Sequence, residues 1–187
     1  MKVMRLKEAY PTASVELWCT DEHRLGLKPI LRRVWSPVGE RPTVKVHHRY
    51  QWTYLHAFAR PRTGEVHWLL LPRVSAEIFS LALELFAREV GASTKKRILL
   101  VLDQAGWHTS PKVRIPEGIH LEFLPPRSPE LQPAERLWPL SNEGVANRHF
   151  EEIDDLEEAL VERCVALGEQ PEIIRSYTRY HWWPNVA

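Results

Sequence analysis

Short runs of hydrophobic residues, separated by polar turns, predict a set of strands along the chain. Residues 51–59 alternate with a period of two, which is typical of a half-buried strand. Residues 98–102 are five aliphatic residues in succession and are apolar on both faces, which indicates a strand at the centre of a covered sheet. The same patterns predict strands at residues 15–20, 44–50, 66–71 and 119–124. Short turns join the strands at 44–50, 51–59 and 66–71, so these should form an antiparallel meander beside residues 15–20.

Helical spacing replaces this alternation in two longer segments. Ser75 is placed as an N-cap with Glu77 in the first turn, and apolar residues recur every three to four positions until Gly91 ends the pattern. Residues 153–167 have one apolar stripe and an acidic outer face, which predicts an amphipathic helix.

A third helix is predicted to start at Pro133, a residue suited to the first helical position. Glu135 would then lie in the first turn, and Pro139 should kink or shorten the helix because it cannot donate a backbone hydrogen bond. Residues 1–14 have little pattern and are interpreted as a loose lead-in. The mixed order of strands and helices predicts an α/β fold.

Composition limits the class of protein. The chain has 187 residues, 44% of them hydrophobic, which is enough for a single domain with one sizeable core. Cys19 and Cys164 are too few for a disulfide framework or a zinc site, which favours a reducing compartment. The sequence shows no apolar run long enough to span a bilayer and no signal peptide, so we expect a cytoplasmic protein with no membrane contact.

Charge is balanced overall but unevenly distributed. The chain has 25 Lys and Arg against 24 Asp and Glu, so its net charge would not attract nucleic acid. Residues 24–49 are nevertheless strongly basic, whereas residues 151–172 are strongly acidic. The basic segment either contacts phosphates or is only a solvated face.

Three acidic residues are candidates for chemistry. Asp103 directly follows the central strand, Asp21 follows the strand at 15–20, and Glu135 begins the predicted third helix. Carboxylates bind Mg²⁺ or Mn²⁺, and two such ions can promote an in-line phosphoryl displacement. This hypothesis requires the first and central strands to be neighbours. For Asp103, the alternative is a carboxylate that only opens a turn.

Three sequence motifs around these acids resemble one known family. They are TDEHR at residues 20–24, LDQAGWH at residues 102–108, and LPPRSPELQPAERLW at residues 124–138. Together they are similar to the catalytic domain of bacterial insertion-sequence transposases of the mariner-like superfamily, which are DDE endonucleases. The resemblance runs from about residue 17 to the end of the chain. Gln104, Arg127 and Gln132 depart from the residues most usual in that family.

The resemblance implies a fold and a reaction. The fold would be RNase H-like, with three layers and a mixed five-stranded sheet covered by helices on both faces. Asp21, Asp103 and Glu135 would bind two Mg²⁺ or Mn²⁺ ions. The reaction would be cleavage of DNA at transposon ends, followed by attack of the freed 3′ hydroxyl on target DNA.

Other residues are assigned accessory roles. His108 could orient a water or a phosphate, and Glu22 could supplement the acidic ligands; packed or solvated structural roles are the alternatives. The candidate DNA contacts are Arg24, Lys28, Arg32, Arg33, Lys45, Arg49 and Arg127.

The resemblance also implies partners. Family members usually carry an N-terminal helix-turn-helix region, and only about fourteen residues precede the first predicted strand here. We therefore expect a catalytic half with poor sequence-specific binding of its own, a homodimer in the active complex, and a separate DNA-binding subunit or reading frame. Acting on DNA, the protein would be associated with the nucleoid.

Two hypotheses of different class remain. The first is an active DDE endonuclease and strand transferase. The second is an inactive or truncated RNase H-like module that only binds nucleic acid or a partner subunit. A nuclease for RNA–DNA hybrids is a third, weaker option.

Overall fold

A computed structural model of the protein describes residues 2–45 and 49–184. Its strands are β1 Ser14–Gly26, β2 Trp52–Arg60, β3 Glu65–Leu71, β4 Lys96–Leu102 and β5 Ile119–Phe123. Its α-helices are α1 Lys2–Ala9, α2 Ala76–Glu89, α3 Trp138–Ser141, α4 Ile153–Gly168 and α5 Pro171–Thr178, with 3₁₀-helices at Pro129–Leu131, Pro133–Leu137 and Asn142–Gly144.

The five strands form one mixed sheet in the order β3-β2-β1-β4-β5. β1 pairs antiparallel with β2 and parallel with β4, β2 pairs antiparallel with β3, and β4 pairs parallel with β5. The first and central predicted strands are therefore direct neighbours, as the hypothesis of a shared acidic site requires.

Both faces of the sheet are covered, which gives the predicted three layers. Side chains alternate across β4, so that Leu99 and Val101 join one hydrophobic cluster while Leu100 and Leu102 join the other. The first cluster includes the buried stripe of α4 and residues of α3 and α5, and the second includes the apolar face of α2. The α/β architecture with helices on both faces is confirmed.

The helix predicted from Ser75 is confirmed in detail. The Ser75 side chain accepts a hydrogen bond from the Ile78 backbone N–H, and the chain leaves the helix through Gly91 at a φ of 67°. The amphipathic helix predicted at 153–167 is α4, whose Leu156, Leu160 and Leu167 are buried.

Four predictions about the elements need correction. Residues 2–9 form α1, with Val3 buried, so the lead-in is not loose. β1 does not end at residue 20, because its pairing with β2 continues to Gly26. No strand includes residues 44, 45, 49 or 50, and residues 46–48 of the strand predicted at 44–50 lie outside the described residues. The meander accordingly consists of β1, β2 and β3, and α5 was not predicted.

The helix predicted from Pro133 is divided, as Pro139 required. Pro133–Leu137 is a 3₁₀-helix with Pro133 at its start, and α3 then begins at Trp138. Pro139 occupies the first turn of α3, where a missing backbone N–H is tolerated. Glu135 thus lies on a short element of its own. Among the described helices, none is long and apolar enough to cross a membrane.

Candidate active site

The register of the sheet places Asp21 and Asp103 side by side. Cys19 pairs with Val101 in the parallel ladder, and the same offset of 82 residues relates Asp21 to Asp103. Adjacent strands lie about 4.8 Å apart. Asp21 shares the face of Leu17 and Cys19, because side chains alternate along a strand, and Asp103 directly follows the last residue of β4.

Glu135 lies in the same cleft as Asp21 and Asp103, on the 3₁₀-helix Pro133–Leu137. The buried side chain of Gln132 donates from Nε2 to the carbonyl oxygen of Thr20 at 2.9 Å and accepts the Ala134 N–H at 3.4 Å. This contact fixes the start of the 3₁₀-helix against β1, directly before Asp21. Asp21, Asp103 and Glu135 all line one cleft of about 360 Å³, together with Arg127, Gln104 and the segment 124–129.

The three carboxylates line this cleft without converging on a single point. Within residues 2–45 and 49–184, no group of three or more His, Cys, Asp and Glu side chains is close enough to hold one metal ion. The cleft offers acidic ligands, but not a preformed cluster of three around one ion.

Asp21 is the buried member of the set, with 9% of its surface exposed. Burial, together with the negative charges of Glu135 and Glu22, raises the pKa of its carboxyl to about 8. The indole Nε1 of Trp138 donates to Asp21 Oδ2 at 3.2 Å and only partly offsets this effect. Trp138 in turn stacks on His23, with ring centroids 5.1 Å apart. Sequence reasoning did not find this donor, because nothing in the pattern shows which face Trp138 presents.

Asp103 has the opposite environment, since 53% of its side chain is exposed. Its Oδ1 accepts hydrogen bonds from the Ala105 backbone N–H at 3.0 Å and from His108 Nδ1 at 2.7 Å. The hydrogen bond from His108 is the main reason that the pKa of Asp103 is lowered. The turn that Asp103 was expected to open does exist, but its carboxylate also reaches the cleft.

Glu22 and His108 lie behind the cleft. Their side chains are 5% and 0% exposed, and His108 Nε2 is 2.8 Å from Glu22 Oε1. Burial alone would raise the pKa of Glu22, but His108 and His56 lower it to about 2. Burial alone would also lower the pKa of His108, but the carboxylates of Asp103 and Glu22 raise it to about 9. Neither residue occupies the role of a free cleft ligand.

The predicted DNA contacts fall into two groups. Arg32 and Arg49 are attached to the body of the protein: Arg32 donates to the Pro139 carbonyl, and Arg49 donates to the carboxylate of Glu152 at 3.0 Å. The other members are Arg24, which lies over the Trp52 ring at 5.1 Å, and Lys28, Arg33, Lys45 and Arg127. All five are exposed, and so is Arg49, with 53% of its side chain accessible. Arg127 has a φ of 58° and lies at the cleft itself.

Comparisons with known proteins identify the family. Residues 16–157 match the family model described as DDE superfamily endonuclease. Uncharacterized protein y4pE/y4sA of Sinorhizobium fredii (strain NBRC 101917 / NGR234) is 38% identical over 138 residues, which are 70% of this chain and 96% of that protein.

Solved structures of low sequence identity share the fold. The Mos1 strand transfer complex is 19% identical with a TM-score of 0.55 and covers 96% of this chain, and the mariner Mos1 paired end complex with Mg is 20% identical with a TM-score of 0.58 and covers 95%. The chain spans only 59% and 60% of these two Mos1 chains. A simian T-cell lymphotropic virus intasome, in complex with PP2A regulatory subunit B56 gamma, is 11% identical with a TM-score of 0.52, and the match covers 94% of this chain and 58% of that one.

The sheet order, the covered faces and the acidic cleft beside Asp21 of β1 and the end of β4 define an RNase H-like fold, as the motifs predicted. Because the family model matches most of its length, the chain belongs to the DDE superfamily endonucleases, a family of enzymes.

Proposed function

We propose that the chain is the catalytic domain of a transposase that cleaves DNA at insertion-sequence ends and joins the freed 3′ hydroxyl to target DNA. One observation carries this proposal. In a member of the DDE superfamily endonucleases, Asp21, Asp103 and Glu135 come from three distant segments and line a single cleft. The Mos1 structures are described as strand transfer and paired-end complexes, which supports the same reaction class.

The donor set suits two divalent cations. Carboxylate oxygens are preferred ligands of Mg²⁺ and Mn²⁺. Burial, followed by the negative charge of Glu135, raises the pKa of Asp21, and a cation beside this carboxyl would favour its ionised form. Asp21, Asp103 and Glu135 would hold the ions, which would supply the Lewis-acid chemistry of phosphoryl transfer.

The ions would activate the attacking water or hydroxyl and stabilise the leaving oxygen. Two of the Mos1 structures are described as complexes with Mn and with Mg, which supports this choice of metals. The chain's own contribution is the arrangement of the acids: the register of β1 and β4 fixes two of them, and Gln132 ties the segment of the third to β1.

The DNA would be held by local positive charge, because the net charge is only +1. Arg127 lines the cleft and would contact a phosphate next to the reacting one. Arg24, Lys28, Arg33 and Lys45 would contact the backbone further away, whereas Arg32 and Arg49 would first have to leave their present contacts.

A transposase must bring two DNA ends together, so we propose a homodimer in the active complex. We also propose that end recognition comes from a separate subunit or segment, and that this chain alone binds ends with little sequence preference. A DNA substrate would place the protein in the cytoplasm at the nucleoid.

The test is nicking of a supercoiled plasmid that carries candidate ends, with Mg²⁺ or Mn²⁺. We expect cleavage that is lost in Asp103→Ala and Glu135→Gln, and retained in Glu130→Gln. Glu130 is a matched control because it is an exposed acid five residues from Glu135 and does not line the cleft. Metal-independent cleavage, or equal loss in all three variants, would contradict the proposal. An RNA–DNA hybrid that competes better than DNA would instead indicate the hybrid nuclease.

The second candidate is a module that binds nucleic acid or a partner subunit without cleaving. The observation in its favour is that no three acidic, His or Cys side chains of the described chain already surround one metal position. A folded wild-type protein that binds DNA but shows no cleavage with either metal would establish this alternative.

A further inference from the structure

Two buried side chains, those of Glu22 and His108, connect the interior of the protein to the half-exposed Asp103. Glu22 Oε1 is 2.8 Å from His108 Nε2, and His108 Nδ1 is 2.7 Å from Asp103 Oδ1. We name this set the Glu22–His108–Asp103 relay. Its inner end is packed: the His108 ring lies on Phe79 of α2 at 4.4 Å between centroids, and His56 Nδ1 is 3.3 Å from Glu22.

The relay crosses from one face of the sheet to the other. Asp21 and Glu22 are consecutive in β1 and point to opposite faces, so Asp21 meets Trp138 while Glu22 meets the two histidines beside α2. Asp103 follows the end of β4, where His108 can reach it from the α2 side. The relay therefore links the second hydrophobic cluster to an acid of the cleft.

The relay acts on one oxygen of Asp103. Both the His108 imidazole and the Ala105 N–H donate to Oδ1. Two donors on one oxygen restrict the rotation of the carboxylate, and neither contact uses Oδ2. This oxygen is available to a ligand in the cleft, although half of the side chain faces solvent and would otherwise be free to turn.

We propose that Glu22 and His108 are positioning residues, which hold the Asp103 carboxylate in the orientation in which it binds a divalent cation. Glu22 fixes the imidazole, and the imidazole fixes Asp103; neither residue touches the metal or the DNA. Outer-shell partners of this kind commonly change metal affinity or activity 10- to 100-fold. The inference rests on the proposed function, because it takes Asp103 to be a metal ligand.

The test measures Mn²⁺ binding by isothermal titration calorimetry in the absence of DNA. We expect His108→Gln and Glu22→Gln each to weaken Mn²⁺ binding by about tenfold. Nicking should require a correspondingly higher metal concentration, while the KM for DNA stays within about twofold. Glu22→Gln keeps the shape of the side chain and alone decides the question if His108→Gln does not fold.

His56→Gln separates positioning from packing. His56 is buried to the same degree and contacts the same Glu22, but the relay does not pass through it. This variant should lower the melting temperature and leave Mn²⁺ affinity within about twofold. A loss of affinity as large as that of His108→Gln would show that any damage to this buried region has the same effect, and would overturn the proposal.

Failure of the relay can be distinguished from failure of the proposed function. Wild-type protein that binds Mn²⁺ but cleaves no DNA contradicts the proposed function, while the relay is still tested by affinity. Unchanged Mn²⁺ affinity in a folded Glu22→Gln variant overturns the relay alone. If Asp103→Asn binds Mn²⁺ as well as the wild type, or if the wild type binds none, the relay is overturned together with the assignment of Asp103.

Discussion

At the scale of single residues, two consecutive carboxylates show how strongly surroundings decide ionisation. Burial and two negative neighbours raise the pKa of Asp21 to about 8, whereas two histidines lower the pKa of Glu22 to about 2. Their exposures are similarly low. Sequence alone identified Asp21 from its motif, but it could not assign Glu22, because its role depends on which histidines the fold brings to it.

The shifted pKa of Asp21 predicts how stability depends on pH without metal. The folded state retains a proton that the unfolded state loses above its ordinary pKa of 3.8, so this residue's contribution to stability falls as pH rises from about 4 to about 8. Asp21→Asn should remove this slope and stabilise the metal-free protein at pH 8 by about 1–3 kcal/mol. Thermal unfolding between pH 5 and 8 measures the difference between variant and wild type.

The stability of the variant must be compared with that of the wild type at each pH, because His108 also titrates and changes the stability of both proteins. Its raised pKa gives stability that is complete below 6.5 and is lost as pH rises through about 9, equally in both proteins. Parallel curves for Asp21→Asn and wild type would contradict the prediction.

At the scale of elements, helices and strands were predicted correctly where a local sequence pattern determines them. The 3.6-residue period and the caps gave α2 and α4, and uninterrupted aliphatic residues gave β4. The prediction failed where contacts with another part of the chain determine the extent of an element. β1 extends through polar residues because β2 pairs with them, and the eight-residue α1 packs on the body through Val3 and one further apolar residue, Leu6.

Gln132 should be needed to hold the Glu135 element. Gln132→Ala removes its donor to Thr20 and its cap on Ala134, and leaves a buried carbonyl without this partner. We expect a loss of about 1–3 kcal/mol, seen as a lower urea midpoint, together with weaker Mn²⁺ binding. Gln170→Ala is the control, since its side chain donates only to Ala166 of α4. An equal loss of Mn²⁺ binding in the control would contradict a specific role.

The turn between β2 and β3 depends on Gly64. Its φ is +81°, and an added Cβ would lie 1.8 Å from the carbonyl oxygen of Pro171 at the start of α5. Gly64→Ala should therefore cost at least about 2 kcal/mol, because backbone strain and overpacking add. Gly39→Ala has a similar φ of +92° with no atom within 4 Å, so only about 1 kcal/mol is expected. Chemical denaturation compares them; equal costs would exclude the contact with Pro171.

At the scale of the whole molecule, the three motifs predicted the fold, and the three acids that they contain line one cleft. What they could not give is the distribution of charge in space. Residues 24–49 form one basic segment in the sequence, but in the folded chain Arg32 and Arg49 donate hydrogen bonds to acceptors on the body of the protein. Lys28, Arg33 and Lys45 are exposed, as is Arg49. Only the folded structure distinguishes the basic side chains that bind acceptors within the protein from those that are accessible to DNA.

DNA affinity should follow the exposed cations. Arg33→Ala and Lys45→Ala should each weaken binding and reduce the slope of log affinity against log salt by about one if each contacts one phosphate. Arg88→Ala removes the same charge in the last turn of α2, where the side chain does not line the cleft, and should change neither quantity. Fluorescence anisotropy over a salt series measures both, and a uniform effect of all three substitutions would indicate only non-specific attraction.

Asp21 and Glu22 point to opposite faces of the sheet. Function should therefore depend more on the number of residues in β1 than on the identity of most of them. Because side chains alternate, a shift of β1 by one position against β2 and β4 would bring Glu22 beside Trp138 and turn Asp21 toward His56 and His108. Both acids would still be present, but each would point to the opposite face of the sheet. In a selection for function, single-residue insertions and deletions within Ser14–Gly26 should therefore be eliminated at positions where many substitutions survive.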